Sequence, residues 1–226
     1  MRVCNCFLGK GGNEQGDGIE IFKNLYSVSE PTKVVVSQTT VVGSVTLKGS
    51  STLATGALND GRTATVYTYN YEVLQSVQDG AGDVITPIMG EPVSGSREYV
   101  EGKGERYDGG SWDETGMNFA PKAGSIAINL DASKLKNCTY TSDGALQTLS
   151  FTVEAANVAD VFGSDASEIA SDVNVVITAN VAVVTGITIS YTEEIVSEDE
   201  DITYPEAEVT ITTVYTYGIE EITLVK

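Results

Sequence analysis

Histidine is absent from the 226 residues, cysteine occurs three times and tryptophan once. The missing imidazole removes Ser-His-Asp and Cys-His nucleophilic machinery, and with it every zinc site that needs a histidine. Three thiols cannot make a four-cysteine site either. Basic residues are also scarce. There are 13 of them against 32 acidic ones, for a formal charge of −19. Binding nucleic acid or an anionic lipid surface takes clustered Lys and Arg to neutralise phosphates, so neither is an expected partner. No run approaches the roughly 18 apolar residues of a membrane-spanning helix, and no secretory apolar segment follows Met1. The length suits one β domain or two small ones.

Two of the cysteines, Cys4 and Cys6, lie in an N-terminus that reads as loop-like, and Cys138 lies far downstream. An odd number implies no complete disulfide framework. Cys138, between Asn137 and Thr139, reads as a buried apolar thiol on a strand. The Asn137-Cys138-Thr139 glycosylation pattern is taken as coincidental. Leu8–Gly18 (LGKGGNEQGDG) is glycine-rich, so residues 1–18 are expected to form a flexible tether. A cysteine followed by such a tether is how a lipid-anchored bacterial protein begins, which makes Cys6 a candidate lipidation site. Asn5 stands where a lipobox has Gly, Ala or Ser, so a plain N-terminal tail stays open beside it. The corresponding locations are the outside of the cell envelope, anchored, or the cytoplasm.

What is abundant is Thr, Val, Tyr and Ile in period-two alternation, the mark of half-buried antiparallel strands. In Thr63–Glu72, Tyr67, Tyr69 and Tyr71 alternate with Val66, Thr68 and Asn70. Similar runs occur at Ile126–Leu130, Leu149–Val153, Ile187–Tyr191 and Val209–Tyr217. Asn59-Asp60-Gly61 and Asp143-Gly144 supply the positive-φ residues of tight hairpins. The long run Val173–Tyr191 is expected to break near Ala179-Asn180. Helix is scarce: Ile19–Val28 carries an apolar stripe and is stopped by Pro31, and Asn157–Phe162 is followed by a capping Gly163. Asp79–Ser96, rich in Gly and Pro, reads as a long loop or frayed hairpin. Residues 19–226 are expected to form a single β-rich domain.

Three constellations stand out. The acidic run Glu193–Asp201 lacks the spacing of a calcium loop and reads as a solvated hairpin tip. Glu101–Asp113 contains Gly102-Lys103-Gly104 without phosphate-loop spacing and reads as two short strands and a turn. Its Trp112 is either a core anchor or a residue at the mouth of a cavity. The stripe Tyr67, Tyr69, Tyr71 lines a pocket, forms a stacked face for a glycan, or packs under a neighbouring element. No carboxylate pair, metal site or cofactor site is assigned.

The order of these pieces resembles the LolA/LppX-like envelope lipoproteins. A short amphipathic helix (IFKNLYSVSEPTKV) leads into STLATGALNDGRTATVYTYNYEVL, YVEGKGERYDGGSWDE, NFAPKAGSIAINLDASKL, LSFTVEAANVADVFG and a final meander ending VTITTVYTYGIEEITL. The resemblance spans about residues 18–226 and looks most like a Gram-positive-type subgroup. It implies one strongly curved antiparallel sheet of about 10–12 strands, a half-barrel with a few short helices on its concave side. It also implies a lipid or other hydrophobic ligand in that concavity, with Phe22, Leu25, Tyr67, Tyr69, Trp112 and Phe162 as expected lining. Two readings compete with this one. One is a structural or adhesive surface or phage-tail type β protein that acts by self-assembly. The other is a carboxylate hydrolase, which no converging residues support.

Overall fold

The computed structural model describes residues 2–5, 14–28, 30–78, 85–114, 128–163, 166, 169–194, 206–218 and 221–224. The chain is mainly β, antiparallel and open rather than closed into a barrel. It divides into two compact units. Unit 1 holds residues 1–29, 40–44 and 125–212; unit 2 holds 30–39, 45–124 and 213–226.

Unit 1 begins with β1 (Arg2–Asn5) and α1 (Glu14–Val28). Two stretches of the expected tether are therefore regular structure. Its glycines suggest flexibility, but they fall in residues 9–18, and Arg2–Asn5 ahead of them pair antiparallel with β9 (Leu135–Asp143). β9 pairs with β10 (Leu146–Val153), β10 with β11 (Val173–Ala179), and β11 with β12 (Val184–Glu193). The Asp143-Gly144 turn joins β9 to β10 with Gly144 at φ 61°. The break between β11 and β12 falls at Asn180, whose side-chain oxygen accepts from the backbone N–H of Ala182 and Val183 at 2.8 and 2.9 Å. That local bond is what turns an otherwise continuous apolar run.

Alternation decides which face of these strands is dry. Val173, Val175, Ile177 and Ala179 are buried, while Asn174 and Val176 between them are exposed. Leu149, Phe151 and Val153 do the same on β10. A β-bulge at Asn137, which sits at φ 50°, keeps β9 in phase with β10. Helix α1 covers the dry face with Ile19, Phe22 and Leu25, and Phe22 is fully buried. Gly18 permits the close approach, since a Cβ there would lie 2.9 Å from the Tyr140 Cβ. Helix α2 (Val158–Phe162) adds Val158 and Val161 and ends at Gly163, at φ 99°, whose N–H reaches the Ala159 carbonyl. Cys138 is buried on β9.

Unit 2 is built on β3 (Val45–Ala57), β4 (Thr63–Tyr71), β7 (Val93–Val100) and β8 (Gly104–Tyr107), each paired antiparallel with the next. β2 (Lys33–Val42) and β13 (Ala207–Thr216) are divided between the units. Gly61, at φ 83°, makes the β3–β4 turn, and Asp60 accepts from the Arg62 backbone and guanidinium. The Gly- and Pro-rich stretch after β4 is a separate two-stranded hairpin, β5 (Leu74–Gln78) with β6 (Ile85–Met89), and β7 starts inside what reads as loop. Gly102 and Gly104, at φ 75° and 86°, close the β7–β8 turn.

Candidate functional site

Strand β4 sorts its residues between two environments. Ala64 and Val66 face a small cluster with Val100, Ile222, Leu58, Leu224 and Trp112. Thr65, Tyr67, Tyr69 and Tyr71 alternate with them and therefore share the opposite face. The register places Leu53, Ser51 and Gly49 of β3 beside Tyr67, Tyr69 and Tyr71, and Arg97, Gly95 and Val93 of β7 on their other flank.

Both glycines are where the rings need room. A Cβ on Gly95 would come within 2.5 Å of the Tyr69 hydroxyl oxygen, and one on Gly49 would overlap the Tyr71 ring. Tyr69 thus lies across β7 and Tyr71 across β3, each ring resting on backbone that carries no side chain. The centroids of Tyr67 and Tyr69 are 5.8 Å apart, and those of Tyr69 and Tyr71 are 6.0 Å apart. Interplanar angles of 33° and 27° make the three rings a nearly continuous aromatic strip.

Next to this strip is a cavity of about 390 Å³, lined by Leu53, Tyr67, Tyr69, Ser96, Arg97, Tyr107 and Asp108. Arg97 lies across from Tyr107 in the β7–β8 register, its guanidinium carbon 5.2 Å from that ring's centroid. Its Nε and Nη2 both donate to Glu105 Oε2, at 2.9 and 2.5 Å. Asp108, at φ 48°, fixes the cavity's other edge. Its Oδ1 accepts from the Ser96 backbone N–H at 2.6 Å, and its own N–H donates to the Ser96 carbonyl at 3.0 Å. Burial holds the Tyr67 hydroxyl above its ordinary pKa, as does its bond to Tyr71, against an opposing bond from Ser51. The Tyr67 phenol is therefore neutral at ordinary pH and serves as a hydrogen-bonding group.

The six expected lining residues do not share one place. Tyr67 and Tyr69 line the cavity together. Trp112 packs on the Ala64–Val100 cluster, which the strand alternation puts on the other face of β4. There two cations lie over it, the Arg106 guanidinium 4.7 Å and the Lys103 ammonium 5.5 Å from its ring centroids. Arg106 in turn pairs with Glu98, whose side chain is fully buried. Phe22 and Leu25 are interior residues of unit 1, and Phe162 is half-buried on α2 in the same unit. Cys6 lies outside the described residues, as does most of the acidic run; of that run Glu193 ends β12, its carboxyl pushed up by burial. Leu53, Arg97, Tyr107 and Asp108 complete the cavity, and cross-strand register alone brings them there. Tyr107 and Asp108 fall in the Glu101–Asp113 segment singled out from the sequence, Leu53 in the quoted hairpin run and Ser96 at the end of the Asp79–Ser96 stretch; Arg97 falls in none of them.

Among the described residues no group of three or more acidic or cysteine side chains is placed to hold a metal ion. No helix among them is long and apolar enough to cross a membrane. No protein-family model and no curated protein matches the chain. Among solved structures, it is similar to a DUF1329 family protein from Desulfovibrio piger, at 10% identity and a TM-score of 0.26, over 91% of this chain and 94% of that one.

Proposed function

We propose that this chain is a binding protein without a reaction of its own, which takes a lipid or other ligand with an apolar face into the cavity beside Tyr67 and Tyr69. One observation carries the reading: about 390 Å³ of space whose walls are chiefly aromatic and aliphatic, with a few fixed polar groups. That balance is the usual character of a small-ligand site. Water in such a space has few partners, so an apolar surface that displaces it gains about 25 cal/mol per Å² covered. The order of elements over residues 18–226 supports the same reading through its resemblance to the LolA/LppX-like carriers. In that picture a lipid on Cys6 would tether the protein outside the cell envelope, and the −19 charge would hold its body off anionic lipid.

Native mass spectrometry of the protein purified from its own host, followed by organic extraction, tests the reading. A stoichiometric ligand that Leu53→Trp excludes is the expected result. A chain with no co-purifying ligand, which also fails to bind an environment-sensitive apolar dye at this cavity, overturns it.

A further inference from the structure

We propose that the group recognised in this cavity is an uncharged pyranose ring, stacked on Tyr67 and Tyr69 and hydrogen-bonded by Asp108, whether the sugar is free or the headgroup of a glycolipid. This rests on the reading of the cavity as a ligand site and goes on to name the ligand's chemistry.

The argument runs through what the walls demand of an occupant. A hydrocarbon chain alone would satisfy the rings but not the polar edge. Covering the Asp108 carboxylate and the Tyr69 and Tyr107 hydroxyls with methylenes strips their water and returns no hydrogen bond, at a cost of about 1–3 kcal/mol for each group left unpaired. A sugar has both surfaces. Its C–H face is apolar and slightly positive, suited to the negative face of a phenol ring, and its rim carries hydroxyls. Asp108 Oδ1 is committed to Ser96, and Oδ2 is the oxygen left, among the described residues, to accept from a ligand hydroxyl.

Charge narrows the class further. An anionic ligand would meet Asp108 inside a protein of charge −19. Arg97 offers little compensation, because Glu105 already neutralises it. A cationic headgroup would find the Arg97 guanidinium already on the Tyr107 ring, a positive charge on the cavity wall. A neutral sugar, which meets both the rings and the polar edge without a charge of its own, is the class the walls favour. The glycines show that the rings are placed as a platform. At Gly95 and Gly49 any larger residue would push Tyr69 and Tyr71 up off the strands. Three rings in a row offer a landing longer than one sugar, so oligosaccharides should bind more tightly than single rings.

Tyrosine ring resonances of the full chain report on the cavity directly. The chain is titrated with the neutral disaccharides cellobiose and maltose, with octyl glucoside below its micelle threshold, and with octanol. Saturable shifts of Tyr67 and Tyr69 with a disaccharide support the proposal and point to free sugar. Shifts with octyl glucoside, but with neither disaccharide nor octanol, support it and point to a glycolipid. If octanol shifts these rings as strongly as octyl glucoside, the sugar is not what is recognised; the proposal is overturned while the ligand-site reading stands. If no compound shifts them, both fall. Tyr69→Ala should weaken sugar binding about tenfold. Should that variant fail to fold, Gly95→Ala decides. It keeps every lining side chain and only tilts Tyr69, so binding should weaken about threefold, and unchanged binding overturns the stacking.

Discussion

The hydroxyl end of Tyr69 rests over Gly95, its register partner on β7, where a single added carbon would stand 2.5 Å from the phenolic oxygen. Tyr71 has the same relation to Gly49 on β3. Neither glycine has a positive φ, so each is held to glycine by the ring above it and not by its backbone.

That distinction is measurable. In an ordinary strand, glycine to valine is favoured by β propensity. Gly49→Val should instead destabilise the protein by about 1–3 kcal/mol, the usual range for overpacking. Combining it with Tyr71→Ala should recover part of the loss, read from urea midpoints at unchanged slope.

Glu98 and Arg106 form a buried pair with Trp112 over the guanidinium. Removing one charge takes an ion-pair partner from the other in an interior of low polarity. Arg106→Ala should therefore cost about 3–5 kcal/mol, and the emission of the lone tryptophan should shift. Replacing both partners, as Glu98→Leu with Arg106→Met, should restore most of the stability. If the double variant is no better than the single one, the pair is not the source of the loss.

Phe22 of α1 is fully buried in unit 1. Phe22→Ala should lower the unfolding free energy by about 3–5 kcal/mol, without altering ligand shifts at Tyr67 and Tyr69. A loss of binding in a folded Phe22→Ala protein would show that unit 1 contributes to the site.

Burial pushes the Tyr215 phenol up to about 12, helped by Tyr217. The folded state thus keeps its proton where the unfolded chain, near pKa 10, gives it up. The stabilisation is complete below about pH 10 and is lost as pH rises toward 12, by roughly 2 kcal/mol in all. An alkaline titration should show this tyrosine ionising late, by tyrosinate absorbance. Tyr215→Phe should retain more of its stability than wild type across that interval.

Much of this molecule is readable from its chain because a strand that is wet on one face writes its alternation into the sequence. The Tyr67–Tyr69–Tyr71 stripe, the Asn59-Asp60-Gly61 turn, the break at Asn180 and the short helix before Gly163 all come from local chemistry. β1 does not, because the four residues Arg2–Asn5 acquire a strand's meaning only from pairing with β9. The cavity was half legible. Its tyrosines announce themselves by spacing, whereas Arg97 and Leu53 join them through pairing register, which no local pattern encodes. Phe22, Leu25 and Phe162 show the converse: an apolar side chain looks the same in sequence whether it faces a ligand or a core. Trp112 reads from the sequence as a core anchor or a residue at a cavity mouth, and the structure packs it, half-buried, against the Ala64–Val100 cluster.

Asp113 returns alongside β8 and exchanges two backbone bonds with Glu105, at 3.1 and 2.7 Å. A protein so rich in Thr, Val and Tyr strands carries the composition from which intermolecular sheets grow. An unpaired outer strand is where such growth starts. Here a single returning residue occupies the donor and acceptor that a neighbouring chain would need, and the acidic side chains beside it add repulsion. Deleting that cap should free the Glu105 N–H and carbonyl for edge-to-edge pairing, read as concentration-dependent assembly of the variant.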